Sequence, residues 1–586
     1  MLIRFNVLSA ALLSFAMFCA EASAQDAAMP QPAGHVTPDQ DASERADPAD
    51  TSAQNSQDRA AAPAAGANAP AAPQTGPEAA TQTAPAPAAL GALAAAVKQA
   101  VESDVSKSTD EHTKIEGDTM AAFYHARAYA PLWVGESGPM QQANDIVAVL
   151  RDANAYGLEA SDFAVPAFEA AGTDPAALAT AEVRLTRAAL LYARHARGGR
   201  ITEPAEMLNS NLDRKPQLLD PRDVLAGLAA STPAAYLIST HPKHPQFEKL
   251  RQAFLAAGGG KAAAAAHDGK AASAAHDGKK ALSAGAKRLR ANMEEWRWMH
   301  DDMGELYVLN NIPEFMQYVY KDGKVIRKER IVAGMIDKQS SIFTRNLKYV
   351  VLRPKWRVPE SIMVHELWPS LLKGGGLMRQ YGLQIETKDG KVLDWRTIDW
   401  SKDDIRNYYV MQPPGGKSVL GVVKFSFPSQ HTIFMHDTPD RWMFRQAQRT
   451  LSHGCLRVKN SVELAEIILG YDKGWDKARI AEFIRSGPFN NEVAMEKRIP
   501  IHLTYFTAWV EDDGKVRAFP DIYGHERRIT QALDGDWDKI NKGRNHLAPP
   551  QPNFNPKAVA SSAPSRQKRE ARSTGDIISD MFGLSF

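Results

Sequence analysis

Two long stretches of this sequence lack the large apolar residues that a folded core needs, and they divide the chain into separately folding parts. The first, residues 25–110, is rich in Ala, Pro, Gln, Ser and Asp and holds almost no aromatic residues. Such a composition cannot bury enough apolar surface to offset the entropy that is lost on ordering. We therefore predict a disordered tether, in which only Leu90–Val101 has enough Ala and Leu to form helix.

The second stretch, residues 256–285, is a Lys/Ala-rich segment that contains Ala-Ala-His-Asp-Gly-Lys twice, at 265–270 and 274–279. The two histidines of this repeat raise metal binding as an alternative. Low complexity favours a solvated linker instead.

Between these stretches, residues 111–255 have the pattern of a helical domain. Ile146, Val147 and Leu150 follow helical spacing, and Val183–Ala196 predicts a second helix. No catalytic set of residues is visible here, so we predict a structural, scaffold-like domain.

Residues 286–525 predict many short strands. Apolar runs flank Lys321-Asp322-Gly323-Lys324, which is a hairpin turn signal. A C-terminal extension, residues 526–586, becomes Pro-rich and then basic, and we expect it to be partly disordered. The predicted fold class is thus a multidomain α+β chain, with a mainly helical domain before a β-rich one.

The N-terminus has the pattern of an export signal. Arg4 precedes the mainly apolar run Val7–Ala20, and Ala22-Ser23-Ala24 is a typical cleavage site, so residues 1–24 are predicted to be a signal peptide. An uncleaved anchor is the alternative, but the run is short for a bilayer core of about 30 Å. Later segments hold no comparable apolar run, so we expect no transmembrane span after cleavage.

The charge balance and the number of cysteines restrict the classes of function that the chain can have. With 70 basic and 68 acidic residues, the chain has no strong electrostatic attraction to nucleic acid. Of its two cysteines, Cys19 lies in the signal, which leaves Cys455 without an internal disulfide partner. A lone thiol in an exported protein is either an inert buried residue or a reactive one.

The neighbours of Cys455 favour the reactive alternative. It ends the string Ser452-His453-Gly454-Cys455, and His436 ends a predicted strand 19 positions upstream. A free thiol with a pKa of about 8.5 needs a basic or cationic neighbour to react as thiolate. The N–H groups of Gly454 and Cys455 are candidate oxyanion donors. Arg457 would share a face with Cys455 in an extended chain, where it could favour the thiolate and hold a substrate carboxylate.

A zinc site is the competing interpretation of the same region. Its ligands would be His431, His436, His453 and Cys455. Because His431 and His436 are five positions apart in a predicted strand, they should point to opposite faces. We therefore predict neither a metal nor another cofactor.

His436-Asp437, followed by Ser452-His453-Gly454-Cys455 and Arg457, resembles the signature of the L,D-transpeptidases, which have a YkuD-type catalytic domain. Similarity to the large YcbB-like branch extends over further segments, and residues 115–255 resemble the helical scaffold domain of that branch. The segments of the catalytic part are Trp296–Trp298, Tyr307–Asn310, Trp356–Pro359, Gln412–Gly415, His436–Pro439 and Tyr505–Val510.

The resemblance implies a reaction and its residues. Cys455 would attack a diaminopimelate carbonyl in a tetrapeptide stem of peptidoglycan and release D-alanine, and His436 would take the thiol proton. The backbone carbonyl of Asp437 would orient the His436 ring, while His453 and Gly454 would lie at the oxyanion site and Ser452 would support the loop. An amine of a second stem would then form a diaminopimelate–diaminopimelate cross-link. A carbapenem is expected to acylate the same thiol.

The resemblance also implies a mobile cap at about 361–410, with a hinge at Gly374-Gly375-Gly376, and a periplasmic location in a Gram-negative-type bacterium. Expected partners are stem peptides and other cell-wall synthesis proteins. Relatives usually carry a peptidoglycan-binding module where this chain has residues 256–285. Three alternatives stay open: an L,D-carboxypeptidase, an enzyme that attaches proteins to the wall, and a non-catalytic wall-binding scaffold.

Overall fold

The structure is a computed structural model that describes residues 91–108, 110–260, 282–415 and 418–561. The predicted signal peptide, most of the predicted tether and the repeat of the predicted linker lie outside these residues. Within them, no helix combines the length and the apolar composition that crossing a membrane requires.

The N-terminal part is helical, as the sequence predicts. Its elements are α1 (Ala92–Val105), α2 (Glu111–Ala126), β1 (Val134–Gly135), β2 (Gly138–Pro139), α3 (Gln141–Arg151), α4 (Phe168–Ala171), α5 (Pro175–Gly198), α6 (Pro204–Met207), α7 (Pro221–Leu228), α8 (Pro233–Ser239) and α9 (Pro245–Ala256). The long helix α5 is central because most of its residues are buried. Its start is fixed by Pro175 at the first position and by the Asp174 side chain, which accepts the Ala177 N–H.

Helix α1 corrects the predicted end of the disordered tether at residue 110. Val97 and Val101 are fully buried in the core that α1 shares with α5, and Asp104 pairs with Arg187 at 2.6 Å. The reason is spacing: residues four apart lie on one helix face, so a short Ala-rich segment still presents an apolar stripe. Average composition over 25–110 conceals that stripe.

The catalytic part begins with α10 (Ala284–Arg297) and is built around a curled sheet of eleven strands. In spatial order these are β16-β7-β12-β13-β15-β5-β4-β3-β17-β6, with β14 paired to β5. The bounds are β3 (Leu306–Asn311), β4 (Met316–Lys321), β5 (Lys324–Gly334), β6 (Thr344–Asn346), β7 (Tyr349–Leu352), β12 (Val423–Ser426), β13 (Met435–His436), β14 (Thr450–Ser452), β15 (Leu456–Val458), β16 (Asn491–Ala494) and β17 (Pro500–Thr504).

The predicted hairpin is confirmed, since β4 pairs with β5 in antiparallel register through Lys321 and Lys324. Asp322 and Gly323, between them, both have positive φ, as a two-residue hairpin turn requires. The domain is completed by α14 (Ser461–Lys473), α15 (Lys477–Ser486) and a small hairpin of β18 (Ala508–Val510) with β19 (Val516–Ala518).

A cap subdomain with its own apolar core is inserted between β7 and β12. It contains β8 (Trp356–Arg357), α11 (Glu360–Ile362), a π-helical turn (Met363–Leu367), α12 (Trp368–Leu372), α13 (Gly376–Tyr381), β9 (Gln384–Glu386), β10 (Val392–Leu393) and β11 (Tyr409–Gln412). The strand order is β10-β9-β11-β8, so the cap extends beyond the predicted 361–410 at both ends.

The predicted glycine hinge is wrong in its location. Gly374 and Gly375 have positive φ and form the turn between α12 and α13, inside the cap. A side chain at Gly375 would run into the Trp395 ring. Gly375 therefore permits close packing on Trp395, and the three glycines lie inside the cap and not where it joins the rest of the domain.

The C-terminal extension is ordered well past residue 525. Helix α16 (His525–Leu533) packs on α10, and α17 (Pro556–Ser561) packs on α12 of the cap. Residues 541–561, which we call the C-terminal strap, run from the scaffold to the cap. Asn209 donates to the Lys542 carbonyl at 2.6 Å at one end, and Phe554 meets the Trp368 ring edge-on at the other.

Candidate active site

Two neighbouring parallel strands position the predicted nucleophile and base: His436 ends β13, and Cys455 immediately precedes β15. Strand β13 pairs with β15 so that His436 lies opposite Arg457, and Leu456 donates its N–H to the Phe434 carbonyl at 3.0 Å. Cys455 is thus opposite Phe434. Because paired residues and every second residue share a sheet face, Cys455 and His436 are diagonal neighbours on one face.

His436 is held as a neutral base. Its Nδ1 lies 2.5 Å from the Asp437 carbonyl oxygen, which can only accept, so Nδ1 carries the proton and Nε2 keeps a lone pair. Burial, followed by the positive charges of Arg457 and Lys424, lowers the pKa of His436 to about 3. The ring is therefore uncharged at neutral pH, which is the state in which a histidine can act as a base.

The Asp437 side chain fixes the loop that carries this carbonyl. Its carboxylate accepts the Val422 N–H at 3.1 Å and pairs with Arg441 at 2.8 Å. Gly421 lies so close that any side chain there would collide with the Asp437 carboxylate. Asp437 thus positions the base through its backbone, and its side chain is part of the support.

The Cys455 thiol lies at an accessible edge. The residue is partly exposed, packs against the margin of the cap core, and its Sγ is 3.9 Å from the Thr432 carbonyl oxygen. The thiol is therefore not sealed in a core.

Arg457 supports one of its two predicted roles. Burial lowers its pKa, and the neighbouring Asp440 and Cys455 act in the opposite direction, so the guanidinium is close enough to favour a thiolate at Cys455. Its side chain, 6% exposed and facing Asp440 at 3.7 Å, is poorly placed to hold a substrate carboxylate.

The loop before Cys455 is braced by hydroxyl groups. Ser452 donates to the Cys455 carbonyl at 2.6 Å, and Ser340 donates to the Gly454 carbonyl at 2.6 Å. Gly454 has φ of 114°, which favours glycine. Its N–H donates to Ser452 at 3.2 Å, so the expectation that this N–H serves the oxyanion is not met in this conformation.

The side chain of His453 contacts the cap. Its Nε2 lies 2.7 Å from Oε1 of Glu366, which also pairs with Lys338 at 2.6 Å. Sequence reasoning missed Glu366, Lys338 and Ser340, because no local motif contains them.

The candidate zinc ligands are directed to separate partners. His431 bonds to Asp213 and His546, whereas His436 bonds to a carbonyl and His453 to Glu366. In the described ranges, no group of three or more His, Cys, Asp or Glu side chains is arranged to hold a metal ion.

Family comparisons agree with this architecture. The model of the L,D-transpeptidase catalytic domain, YkuD, matches residues 305–480, and that of the scaffold domain matches residues 118–254. A Haemophilus influenzae protein named "Putative L,D-transpeptidase" is 32% identical over 256 residues, which are 44% of this chain and 51% of that protein. The chain thus spans about half the length of this curated relative.

Solved structures of low sequence identity are also similar. An L,D-transpeptidase from Mycobacterium smegmatis has 14% identity over 34% of this chain and 58% of its own, with a TM-score of 0.17. The L,D-transpeptidase LdtMt1 in complex with imipenem has 13% identity over 34% and 59%, with a TM-score of 0.16. The family matches thus identify residues 305–480 as a YkuD-type L,D-transpeptidase catalytic domain, preceded by a scaffold domain at residues 118–254.

Proposed function

We propose that this protein is an exported L,D-transpeptidase that joins peptidoglycan stems through a thioester on Cys455. The observation that carries the proposal is the parallel register of β13 and β15, from which Cys455 and His436 follow as neighbours on one sheet face, together with the bond from Nδ1 of His436 to the Asp437 carbonyl. A cysteine beside an oriented imidazole is the arrangement that nucleophilic acyl transfer requires.

The first half-reaction forms the thioester. His436 takes the Cys455 proton at Nε2, and the thiolate attacks the diaminopimelate carbonyl carbon of a tetrapeptide stem. The tetrahedral intermediate collapses as the bond to D-alanine breaks, and the departing amine takes the proton from His436. The positive charge of Arg457 favours the thiolate throughout.

The second half-reaction releases the thioester. The side-chain amine of another stem attacks the same carbonyl, the C–S bond breaks, and the proton of the amine returns to the thiol by way of His436. The product links two diaminopimelates. Water in place of the amine would give an L,D-carboxypeptidase, and a protein amine would give a wall-attaching enzyme, so the acceptor decides between these activities.

The location belongs to the same proposal. Peptidoglycan stems lie outside the cytoplasmic membrane, and the sequence of residues 1–24 has the pattern of an export signal. We place the mature protein in the periplasm, where a chain without disulfides keeps its single thiol for catalysis.

Carbapenem labelling tests the nucleophile. We expect intact-mass analysis to show one adduct per chain, absent in Cys455→Ala and formed about 100-fold more slowly in His436→Gln, because general-base catalysis contributes on this order. Circular dichroism should show both variants folded. An adduct that persists in Cys455→Ala, or a folded and reduced wild type that forms none, contradicts the proposal and favours a non-catalytic scaffold.

Product mass identifies the acceptor. Purified disaccharide tetrapeptide should give a dimer that has lost one D-alanine, through a bond resistant to D,D-endopeptidase. Exclusive formation of tripeptide would instead assign the hydrolase activity.

A further inference from the structure

A carboxylate of the cap reaches the loop that carries the nucleophile. Glu366 lies in the π-helical turn Met363–Leu367, and its Oε1 contacts Nε2 of His453 at 2.7 Å and Nζ of Lys338 at 2.6 Å. His453 is two residues before Cys455, and Lys338 follows β5. One oxygen atom therefore joins the cap to two segments of the catalytic domain.

The contact is stronger than an ordinary surface ion pair. The side chains of Glu366 and His453 are only 14% and 15% exposed, and that of Lys338 is 33% exposed. Burial alone would raise the pKa of Glu366, but the hydrogen bonds and positive charges of His453 and Lys338 outweigh it and lower that pKa. The ionised carboxylate thus makes charge-assisted hydrogen bonds in a site that excludes much of the solvent.

The second oxygen of the same carboxylate is unused. Oε2 of Glu366 is buried without a hydrogen-bond partner among the described residues. Buried polar atoms without partners are rare in folded proteins and call for an explanation. A bound peptide offers N–H donors, so Oε2 has the chemistry to receive one beneath the cap.

We propose that Glu366 is a positioning residue for the acyl transfer, which holds His453 and latches the cap over Cys455. The inference rests on the proposed function and adds a control element to its site. Cys455 packs at the margin of the cap core, so a cap released from His453 and Lys338 would uncover the thiol. The same release would leave the donor peptide and the nucleophile loop less well positioned.

Thiol labelling and steady-state kinetics test the latch, using the chain without the predicted signal peptide, whose sequence retains only Cys455 of the two cysteines. The variants are Glu366→Ala, Glu366→Gln and, as control, Glu360→Ala, which removes an exposed carboxylate from the same part of the cap. We expect Glu366→Ala to react with a fluorescein maleimide several-fold faster than wild type, and its cross-linking kcat to fall about tenfold or more, because small misplacement of reacting groups is costly. The KM for the stem should change less than kcat.

The glutamine variant separates the two arms of the latch. Its amide oxygen can still accept a hydrogen bond from His453, but without a negative charge it no longer forms an ion pair with Lys338. Its labelling rate should therefore lie between those of wild type and Glu366→Ala. Lys338→Ala should resemble it. The control Glu360→Ala should match wild type in labelling and in kcat.

Labelling at the wild-type rate in a folded Glu366→Ala overturns the latch, even if the protein cross-links stems. If Glu366→Ala melts at a much lower temperature, Glu366→Gln and Lys338→Ala decide, and wild-type labelling in both overturns the inference. Because maleimide labelling needs no acyl transfer, a wild type that never cross-links stems contradicts the proposed function and not the latch.

Discussion

The position of His436, the proposed catalytic base, depends on a glycine that does not touch it. Gly421 has φ of 60° and borders the side-chain carboxylate of Asp437. The backbone carbonyl of Asp437 accepts the hydrogen bond from Nδ1 of His436. A side chain at residue 421 would have no space and would push Asp437 aside. Because the Asp437 carbonyl orients the His436 ring, that displacement would turn the ring.

We predict that Gly421→Ala lowers kcat/KM by about 10- to 100-fold, because it displaces the base from Cys455. The matched control is Gly474→Ala, since Gly474 also has positive φ but has open space around it. Both variants should lose about 1–2 kcal/mol of stability from backbone strain. The rate of carbapenem acylation and thermal melting measure the two effects, and equal acylation rates in both variants would contradict this coupling.

The sequence predicts the residues of the site that lie near one another in the chain. Cys455, Ser452 and Arg457 fall within one short segment, and His436 ends the neighbouring strand, so periodicity and spacing are sufficient. Glu366 is 87 positions from His453, and Ser340 is 114 from Gly454. Contacts of that separation depend on how the cap and the sheet pack, which no local pattern reports. The sequence also predicts an oxyanion role for the Gly454 N–H, because no local pattern reveals its hydrogen bond to Ser452, which depends on the conformation of the turn.

At the scale of elements, the sequence predicts the helical part, the β-rich part and the β4–β5 hairpin, because turn residues and apolar periodicity are local features. It misjudges α1 and the C-terminal strap. Both segments have polar or Ala- and Pro-rich compositions, and both are ordered by surfaces elsewhere: Val97 and Val101 by α5, and Phe554 by Trp368. Composition measures only what a segment can bury by itself.

The strap is held at its middle by a pair of imidazoles. His546 Nε2 lies 2.6 Å from Nδ1 of His431, and its Nδ1 bonds to Ser210 at 2.9 Å. Asp213 bonds to the other nitrogen of His431. Burial and then the charge of His431 lower the pKa of His546 to about 4, while Asp213 opposes them.

This contact should make the strap sensitive to acid. A histidine whose folded pKa lies below its unfolded value of about 6.5 contributes stability that is complete above pH 6.5 and is lost as the pH falls toward 4. We predict that wild type loses about 1 kcal/mol more stability than His546→Asn between pH 7 and pH 5, a value reduced for partial exposure. Urea unfolding at both pH values measures it. His125→Asn, which removes an exposed histidine, should behave as wild type, and an unchanged pH dependence in His546→Asn would argue against the contact.

At the scale of the whole molecule, the scaffold and the catalytic domain share buried polar contacts. Glu294 of α10 accepts the N–H groups of Arg200 and Ile201 at 2.6 and 3.0 Å. Arg297, which is fully buried, donates to the Ala196 and Tyr156 carbonyls. If the two parts separated, these buried groups would lose their hydrogen-bond partners. Water could replace those partners only after the interface had opened. The scaffold and the catalytic domain are therefore joined by contacts that are costly to break.

Arg214 makes the same kind of contact farther along the interface. It lies between α6 and α7 of the scaffold, is 6% exposed, and donates to Thr344 at 2.6 Å and to the Leu503 carbonyl of β17 at 2.7 Å. Its burial lowers the pKa to about 10, so the guanidinium remains charged at neutral pH. Removing it leaves a buried carbonyl in the central sheet without this donor.

We predict that the scaffold and the catalytic domain unfold in one cooperative transition and that Arg214→Ala lowers the free energy of unfolding by about 3 kcal/mol, as expected when a buried charged donor is lost. Differential scanning calorimetry measures both. The control Arg222→Ala, whose side chain is 80% exposed and pairs locally with Asp220, should stay within about 0.5 kcal/mol of wild type. Two separate transitions, with only the scaffold transition shifted in Arg214→Ala, would show that the interface does not couple the domains, because a shared cooperative unit must move as one.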